Sequence, residues 1–350
     1  MSNHTGRVHH LKGTPWEVGH TTGQILGEKL EQNITRYITE FGNADDKFSI
    51  DRDKLHRDAL PWLQSLPQRF QEEFAGIAAG AQLSLQRVAE WFFIEQCAIL
   101  RCSSTVSILN GHAWVARNND TIAPGMWGYV SIREIEGRIP TISFGREGDV
   151  FVPTGINKER LWLHYNYLPV GDSLAADKPH LPPFVFMMDA LETCCTIREV
   201  EALLDTVQRS DGMLLFAVDG KTDEFAIFEC GHHTHYRRDP SENWIVGTNH
   251  YCMCDDPDGP LEEKPLSTLS RFQRLETLLE AVYRRPAEVQ LPTALIELLA
   301  DDEVERRDET FATVYSNVAC PHTGEIWYTF GGYPAASNGN WQKLEWPWTG

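Results

Sequence analysis

The sequence predicts a layered α+β domain, and three observations carry that prediction. The first hundred residues repeat apolar positions at helical spacing. After residue 101 the chain turns to short β-branched and aromatic runs broken by a few long amphipathic segments. These runs do not alternate strand by helix as in a parallel doubly wound sheet, and no glycine-rich phosphate loop follows a strand.

The totals bound the possibilities. A chain of 350 residues with 42% hydrophobic and 23% charged content can bury a sizeable core, as one large domain or two ordinary ones. A net charge of -19 argues against nucleic acid or an anionic membrane as the main partner, since both reward clustered Lys and Arg. Eight cysteines lie without a framework spacing, so reduced thiols are expected. The start, "MSNHTGRVHHLKG", has no apolar core of a secretory signal, and no apolar run reaches the roughly 20 residues of a membrane span. A cytoplasmic protein with a small-molecule substrate is the expectation.

The elements follow in order. In "GTPWEVGHTTGQILGEKL", Thr14 is an N-cap, Pro15 takes the first helical position and Glu17 closes a capping box. Gly19, Gly23 and Gly27 fall on one face, which predicts close packing of another element or of a second copy of the chain. Ile34, Tyr37, Ile38 and Phe41 continue the helical period. "SLPQRFQEEFAGIAAG" reads as a helix capped by Ser65, with Phe70, Phe74 and Ile77 on its stripe and Gly80 as its stop. A third helix starts after Ser84 and runs toward Arg101. Strands are then expected at "STVSIL", "HAWVAR", "YVSIREI", "IPTISFG", "RLWLHYNYL", "MLLFAVD", "EFAIFEC" and "NWIVGTN". One helix interrupts them, capped by Thr196 and Glu199, with Val200, Leu203, Leu204 and Val207 on its stripe. Helices near Ser267–Tyr283 and "TALIELLA", two late strands and a Trp-rich tail complete the chain.

The chemistry-bearing stretch is "RCSSTVSILNGHAWVARNND". Asn110-Gly111 is a strong hairpin signal. With a two-residue turn, facing residues sum to 221, so Cys102 lies opposite Asn119 and shares a face with Arg117. Asp120 falls one residue further, free to turn inward if the strand ends there. A cation beside Cys102 would favour thiolate. The plain alternative is a buried structural cysteine next to a structural ion pair.

Six motifs, "GTPWEVGHTTGQ", "RCSS", "ARNND", "GINKERLWLHYN", "GTNHY" and "LSRFQRL", occur in the order and approximate spacing of the isopenicillin-N acyltransferase and choloylglycine hydrolase (penicillin V acylase) superfamily. The chain resembles that superfamily over nearly its whole length. The resemblance implies an N-terminal-nucleophile (Ntn) hydrolase: a four-layer αββα sandwich of two mainly antiparallel sheets, with an N-terminal helical segment over residues 1–101. Residues 102–350 would form the catalytic core, the two parts making one structural domain. It implies self-cleavage between Arg101 and Cys102, with Cys102 as nucleophile and its freed amine as base. Arg117 and Asp120 match the family's Arg-Asn-x-Asp pair. Asn166 matches an asparagine near the oxyanion, Asn249 the oxyanion-hole side chain and Arg271 an active-site arginine. Arg160 stands where the family commonly has glycine. No cofactor is called for, and the substrate would be a linear, non-peptide amide. The acyl group would pass to water or, in an acyltransferase, from a donor such as acyl-CoA to an amine.

Rival readings remain at this stage. His232, His235, His250 and Cys252 could form a zinc site, although Cys-x-Cys spacing fits poorly. Cys102 could pair with His112 or His250 in a papain-like arrangement, or belong to a non-catalytic binding protein. Trp127, Tyr129, Trp162 and Tyr165 are candidate walls of a substrate pocket.

Overall fold

The computed structural model describes residues 7–43, 51–94, 101–174, 180–257, 259–285, 289–308 and 311–348, with the backbone alone at 41–43. Phe41's side chain, Cys97 and the predicted third helix beyond Ile94 lie outside these limits. The N-terminal part comprises β1 (Val8–Gly13), α1 (Pro15–Leu26), α2 (Glu28–Asn43), α3 (Arg52–Ser65), α4 (Gln68–Ala81) and α5 (Leu85–Phe93). The hairpin β2 (Arg101–Leu109) and β3 (His112–Thr121) leads to β4 (Trp127–Ile135), β5 (Thr141–Arg146), β6 (Thr154–Asn157) and β7 (Leu161–Leu168). Then come β8 (His180–Leu181), α6 (Pro183–Thr193), α7 (Ile197–Thr206), β9 (Gln208–Arg209), β10 (Gly212–Asp219), β11 (Glu224–Cys230), β12 (His235–Arg238) and β13 (Trp244–Gly247). The chain closes with α8 (Thr268–Arg284), α9 (Thr293–Leu299), β14 (Ala312–Cys320), β15 (Glu325–Phe330), α10 (Ala335–Asn338) and β16 (Asn340–Leu344).

Two sheets form the centre. One has eight strands in the order β1-β4-β5-β6-β7-β10-β11-β12, the other six in the order β13-β2-β3-β14-β15-β16. Within them the pairing is antiparallel except for β1 beside β4. Phe144 of the first sheet meets Tyr328 of the second at 5.9 Å between ring centres, so the core lies between the sheets. Leu275 and Leu279 of α8 and Leu295, Leu298 and Leu299 of α9 bury against Trp114, Ala116 and Val246 on the outer face of the six-stranded sheet. Helices α6 and α7 and the N-terminal helices cover the eight-stranded sheet. This is the predicted four-layer α+β sandwich. No helix among the described residues is long and apolar enough to cross a membrane.

Local signals explain much of this. Thr14 and Glu17 make the reciprocal capping box, at 3.3 and 2.8 Å. Gly19 and Gly23 let α1 lie against α4, whose Gly76 and Gly80 return the contact. A Cβ on Gly19 would sit 2.0 Å from the Glu73 carbonyl oxygen. The glycine stripe is therefore used within the chain. Gly27 is not part of it: it ends α1 with φ 51°, a left-handed conformation suited to glycine. Two further expectations shift. Ser65 closes α3, α4 starts after Pro67 without a side-chain cap, and the helix runs through Gly80 to a left-handed Gln82. The single predicted mid-chain helix is two, because α6 precedes α7; Thr196 caps α7, while Glu199 reaches back to the Cys195 amide.

Candidate active site

The hairpin forms in the register its turn dictates. Asn110 and Gly111 take φ of 51° and 86°, as a type I′ turn requires. Leu109 pairs with His112 and Cys102 with Asn119. Cys102, Arg117 and Asn119 thus share a face. Arg117 Nη2 lies 3.4 Å from Cys102 Sγ and Asn119 Oδ1 is 3.7 Å from it. The Arg117 guanidinium is fully buried and donates also to Asn119 Oδ1 (3.0 Å), Tyr165 O (2.7 Å), Pro153 O (3.1 Å), the Tyr315 hydroxyl (3.1 Å) and Thr154 Oγ1. So many acceptors fix its plane and hold one edge against the sulfur.

The backbone of Cys102 itself is gripped from the other side. Asn249, in the segment after β13, accepts the Cys102 N–H at Oδ1 (3.0 Å) and donates from Nδ2 to Tyr167 O (3.0 Å). Arg271, from the first turn of α8, donates to Asn249 Oδ1 (3.0 Å), Cys102 O (2.7 Å) and Ser103 Oγ (2.7 Å). Two donors converging on Asn249 Oδ1 settle which way that amide points. Ser267 caps α8 through the Ser270 amide, which fixes the helix start that carries Arg271.

Asp120 differs from expectation. The strand does not end at Asn119. It continues to Thr121, Asp120 pairs with Arg101, and its side chain lies on the Arg271 face rather than beside Arg117. Its carboxylate accepts from Thr313 Oγ1 (2.7 Å) and lies 3.8 Å from Arg271 Nη1. Asp120 is therefore linked to the Cys102 nitrogen through Arg271 and Asn249. Asn166 joins β7 to the end of β13, donating to Gly247 O (3.2 Å) and Thr248 O (3.0 Å) while its oxygen faces Ser104 Oγ (3.3 Å). Its amide is spent on backbone in this state.

Electrostatics describe a resting site. Cys102 has no exposed surface, and burial pushes its thiol up, with Arg117 pulling the other way without prevailing. Desolvation thus outweighs the one cation, against the pull toward thiolate expected from the sequence. Burial likewise lifts Asp120 to about 6, against the pull of Arg271, and lowers Arg271 to about 10, against the pull of Asp120.

The other candidates separate. Trp127 and Trp162 are core, with indoles donating to Ile122 O (3.0 Å) and His164 Nδ1 (2.9 Å). Tyr165 is buried too, and its backbone oxygen accepts from Arg117. Tyr129 sits with Arg7 and His9. These four do not make one pocket wall. The zinc set also disperses. His232 faces Arg209 O, His235 faces Asp205, buried His250 contacts Thr248 and Thr268 hydroxyls, and Cys252 is exposed. No metal-sized grouping among the described residues includes any of them. His112 stands at the far end of the hairpin against Asp223. Burial lowers His250 to about 4, which makes it a weak base for a thiol. Arg160 takes a left-handed φ of 67°, a conformation that favours glycine, and stacks on Trp346.

Sequence reading missed Tyr315, Thr154, Thr313 and Thr268, which orient Arg117, Asp120 and Asn249. They come from strands and helices distant in sequence, and no local pattern marks them. Asn119 was within reach, since the pairing arithmetic already set it opposite Cys102.

No family model and no curated protein sequence matches the chain. Solved structures do. A penicillin V acylase from Agrobacterium tumefaciens superposes with a TM-score of 0.50 at 14% identity, covering 69% of this chain and 86% of that one. A mutant conjugated bile acid hydrolase from Clostridium perfringens gives 0.48 at 12%, covering 70% and 97%. An N-acylethanolamine-hydrolyzing acid amidase ortholog from Caenorhabditis elegans gives 0.47 at 16%, covering 63% and 93%. The likeness to the acylase establishes the fold, that of an Ntn hydrolase.

Proposed function

We propose that this chain is a self-cleaving cysteine amidohydrolase of the isopenicillin-N acyltransferase and choloylglycine hydrolase superfamily, acting on linear amide C–N bonds. One observation carries the reading: a single residue, Cys102, has its sulfur against Arg117 and its backbone nitrogen against Asn249, at the start of a strand in an Ntn sandwich. Nucleophile and base on one residue need both atoms held, and both are.

In the first step Sγ attacks the Arg101 carbonyl carbon, the C–N bond to Cys102 breaks, and the nitrogen takes the thiol proton. Water then hydrolyses the thioester, releasing an Arg101 carboxylate, a free thiol and a free α-amine. An α-amine titrates near 7.7–8.0, so at neutral pH it can accept the thiol proton. The thiolate attacks the substrate carbonyl, and the Asn249 carboxamide receives the tetrahedral oxyanion, a contact worth about 3–4 kcal/mol. The amine returns the proton to the leaving nitrogen, and water clears the acyl-thioester. Arg117 supports the thiolate, and Arg271 with Asp120 holds Asn249 and the Cys102 carbonyl. The small-molecule amide is the partner this chemistry needs.

Intact mass tests the reading. Wild type is expected as two fragments joined at Arg101/Cys102 before scission, and Cys102→Ala as one full-length chain without turnover of N-acyl amides. An uncut wild type that hydrolyses amides would refute the amine as base.

A further inference from the structure

Three hairpin turns meet at the end of the sandwich opposite Cys102. His112 follows the β2–β3 turn, His322 lies in the β14–β15 turn, and Asp223 lies in the β10–β11 turn of the other sheet. Cys102 and Leu109, the partner of His112, lie seven steps apart along β2, so the two places are roughly 24 Å apart. We propose that His112, Asp223 and His322 form a divalent transition-metal site, of zinc class, that ties the two sheets together.

The geometry supports it from several sides. His112 Nδ1 lies 3.0 Å and His322 Nδ1 3.4 Å from the same oxygen, Asp223 Oδ2, and the three ligand atoms lie within 4.8 Å of one another. A tetrahedral ion with arms of about 2.0–2.1 Å has ligand-to-ligand edges of about 3.3 Å, which the two histidine–carboxylate separations match. The imidazoles stack, 3.9 Å between centres and 22° between planes. A ring's ligating lone pair lies in its own plane, so binding one ion would turn the rings out of this stack. The other carboxylate oxygen, Asp223 Oδ1, accepts the Ala113 N–H at 2.9 Å, which orients Oδ2 toward the histidines as second partners orient metal ligands. The turns are also held close: a Cβ on Gly220 would lie 2.8 Å from the His322 nitrogen. His112 and Asp223 are partly buried and His322 is exposed, leaving room for water as a fourth ligand.

Cobalt(II) titrated into the full-length chain tests this. One equivalent is expected to bind with the visible d–d bands of a four- or five-coordinate ion, and zinc should displace it. Asp223→Asn keeps a residue that tolerates the φ of 59° at this position and keeps an acceptor for Ala113. It should weaken binding about 100-fold or more, as should His322→Gln. Zinc at 100 times its Kd should raise the wild-type Tm by roughly 3–4 °C and leave both variants unmoved. Equal melting of the metal-free proteins would show that the variants fold. Wild type without these bands, or variants that bind as wild type does, would overturn the site and leave a hydrogen-bonded His-Asp-His contact. Self-cleavage at Cys102 should be the same in all three proteins, so this result and the catalytic reading stand or fall separately.

Discussion

Arg117 and Asp120 both lie near Cys102, yet they act on opposite faces of one strand pair. Arg117 touches the sulfur, and Asp120 reaches the backbone by way of Arg271. The difference has a pH signature. Asp120 keeps its proton up to about 6 when folded, against 3.8 for a free carboxyl. The folded chain thus binds this proton more tightly than the unfolded chain does. Ionising Asp120 costs the native state, so its contribution to stability falls as pH rises from about 4 to 6 and levels off above. The full span is about 3 kcal/mol. Melting curves of uncut Cys102→Ala, with and without Asp120→Asn, should show the Asn form gaining on its parent across that window. A difference that stays flat from pH 4 to 7 would mean Asp120 is ionised throughout.

The contact of α1 with α4 shows what packing demands of sequence. Gly19 costs α1 about 1 kcal/mol of helix propensity relative to alanine, so Gly19→Ala would stabilise an isolated helix. Here the new methyl would meet the backbone carbonyl of Glu73, which cannot turn aside. The substitution should therefore lower stability, by about 1–3 kcal/mol, in urea unfolding monitored by circular dichroism. The same contact shows where sequence reading succeeds. Thr14, Pro15 and Glu17 announce a helix start, and Asn110-Gly111 a hairpin, because each signal is local and its residues do the work themselves. Helix α6 gave no such signal: Phe184 to Met188, Ala190 and Leu191 are buried on every side, so no polar face marks its period. Strand β1 went unseen because "VHHLKG" buries only Leu11 and is held by β4. Trp127 and Trp162 were misread because an aromatic in a core strand and one in a pocket look alike in sequence. Of the site, the hairpin arithmetic reached Cys102, Asn119 and Arg117. Asn249 and Arg271 came from family motifs, since their approach to Cys102 depends on how β13 and α8 cross the sheet edge.

A cut at Arg101 would divide the chain between its N-terminal helices and its sheets, and the packing decides whether the halves part. Strand β1 pairs with β4 over six residues, so the N-terminal piece supplies an edge of the eight-stranded sheet. Phe70, Phe74 and Phe92 pack on Phe151, an aromatic contact across the division. Glu73 of α4 pairs with Arg69 (2.9 Å) and with Arg133 of β4, and Arg69 also pairs with Glu192 of α6; all four are buried. Burial already lowers Arg69 to about 9, so the cluster tolerates no missing acid. The two fragments should therefore co-elute in native size exclusion and separate only in denaturant. Glu73→Ala leaves Arg133 and Arg69 short of their shared carboxylate inside the protein, at a cost of about 3–5 kcal/mol. Its fragments should dissociate at a clearly lower urea concentration than those of the wild type. Fragments that elute apart in native buffer would show that residues 1–101 are a removable pro-segment, held before scission by the covalent link.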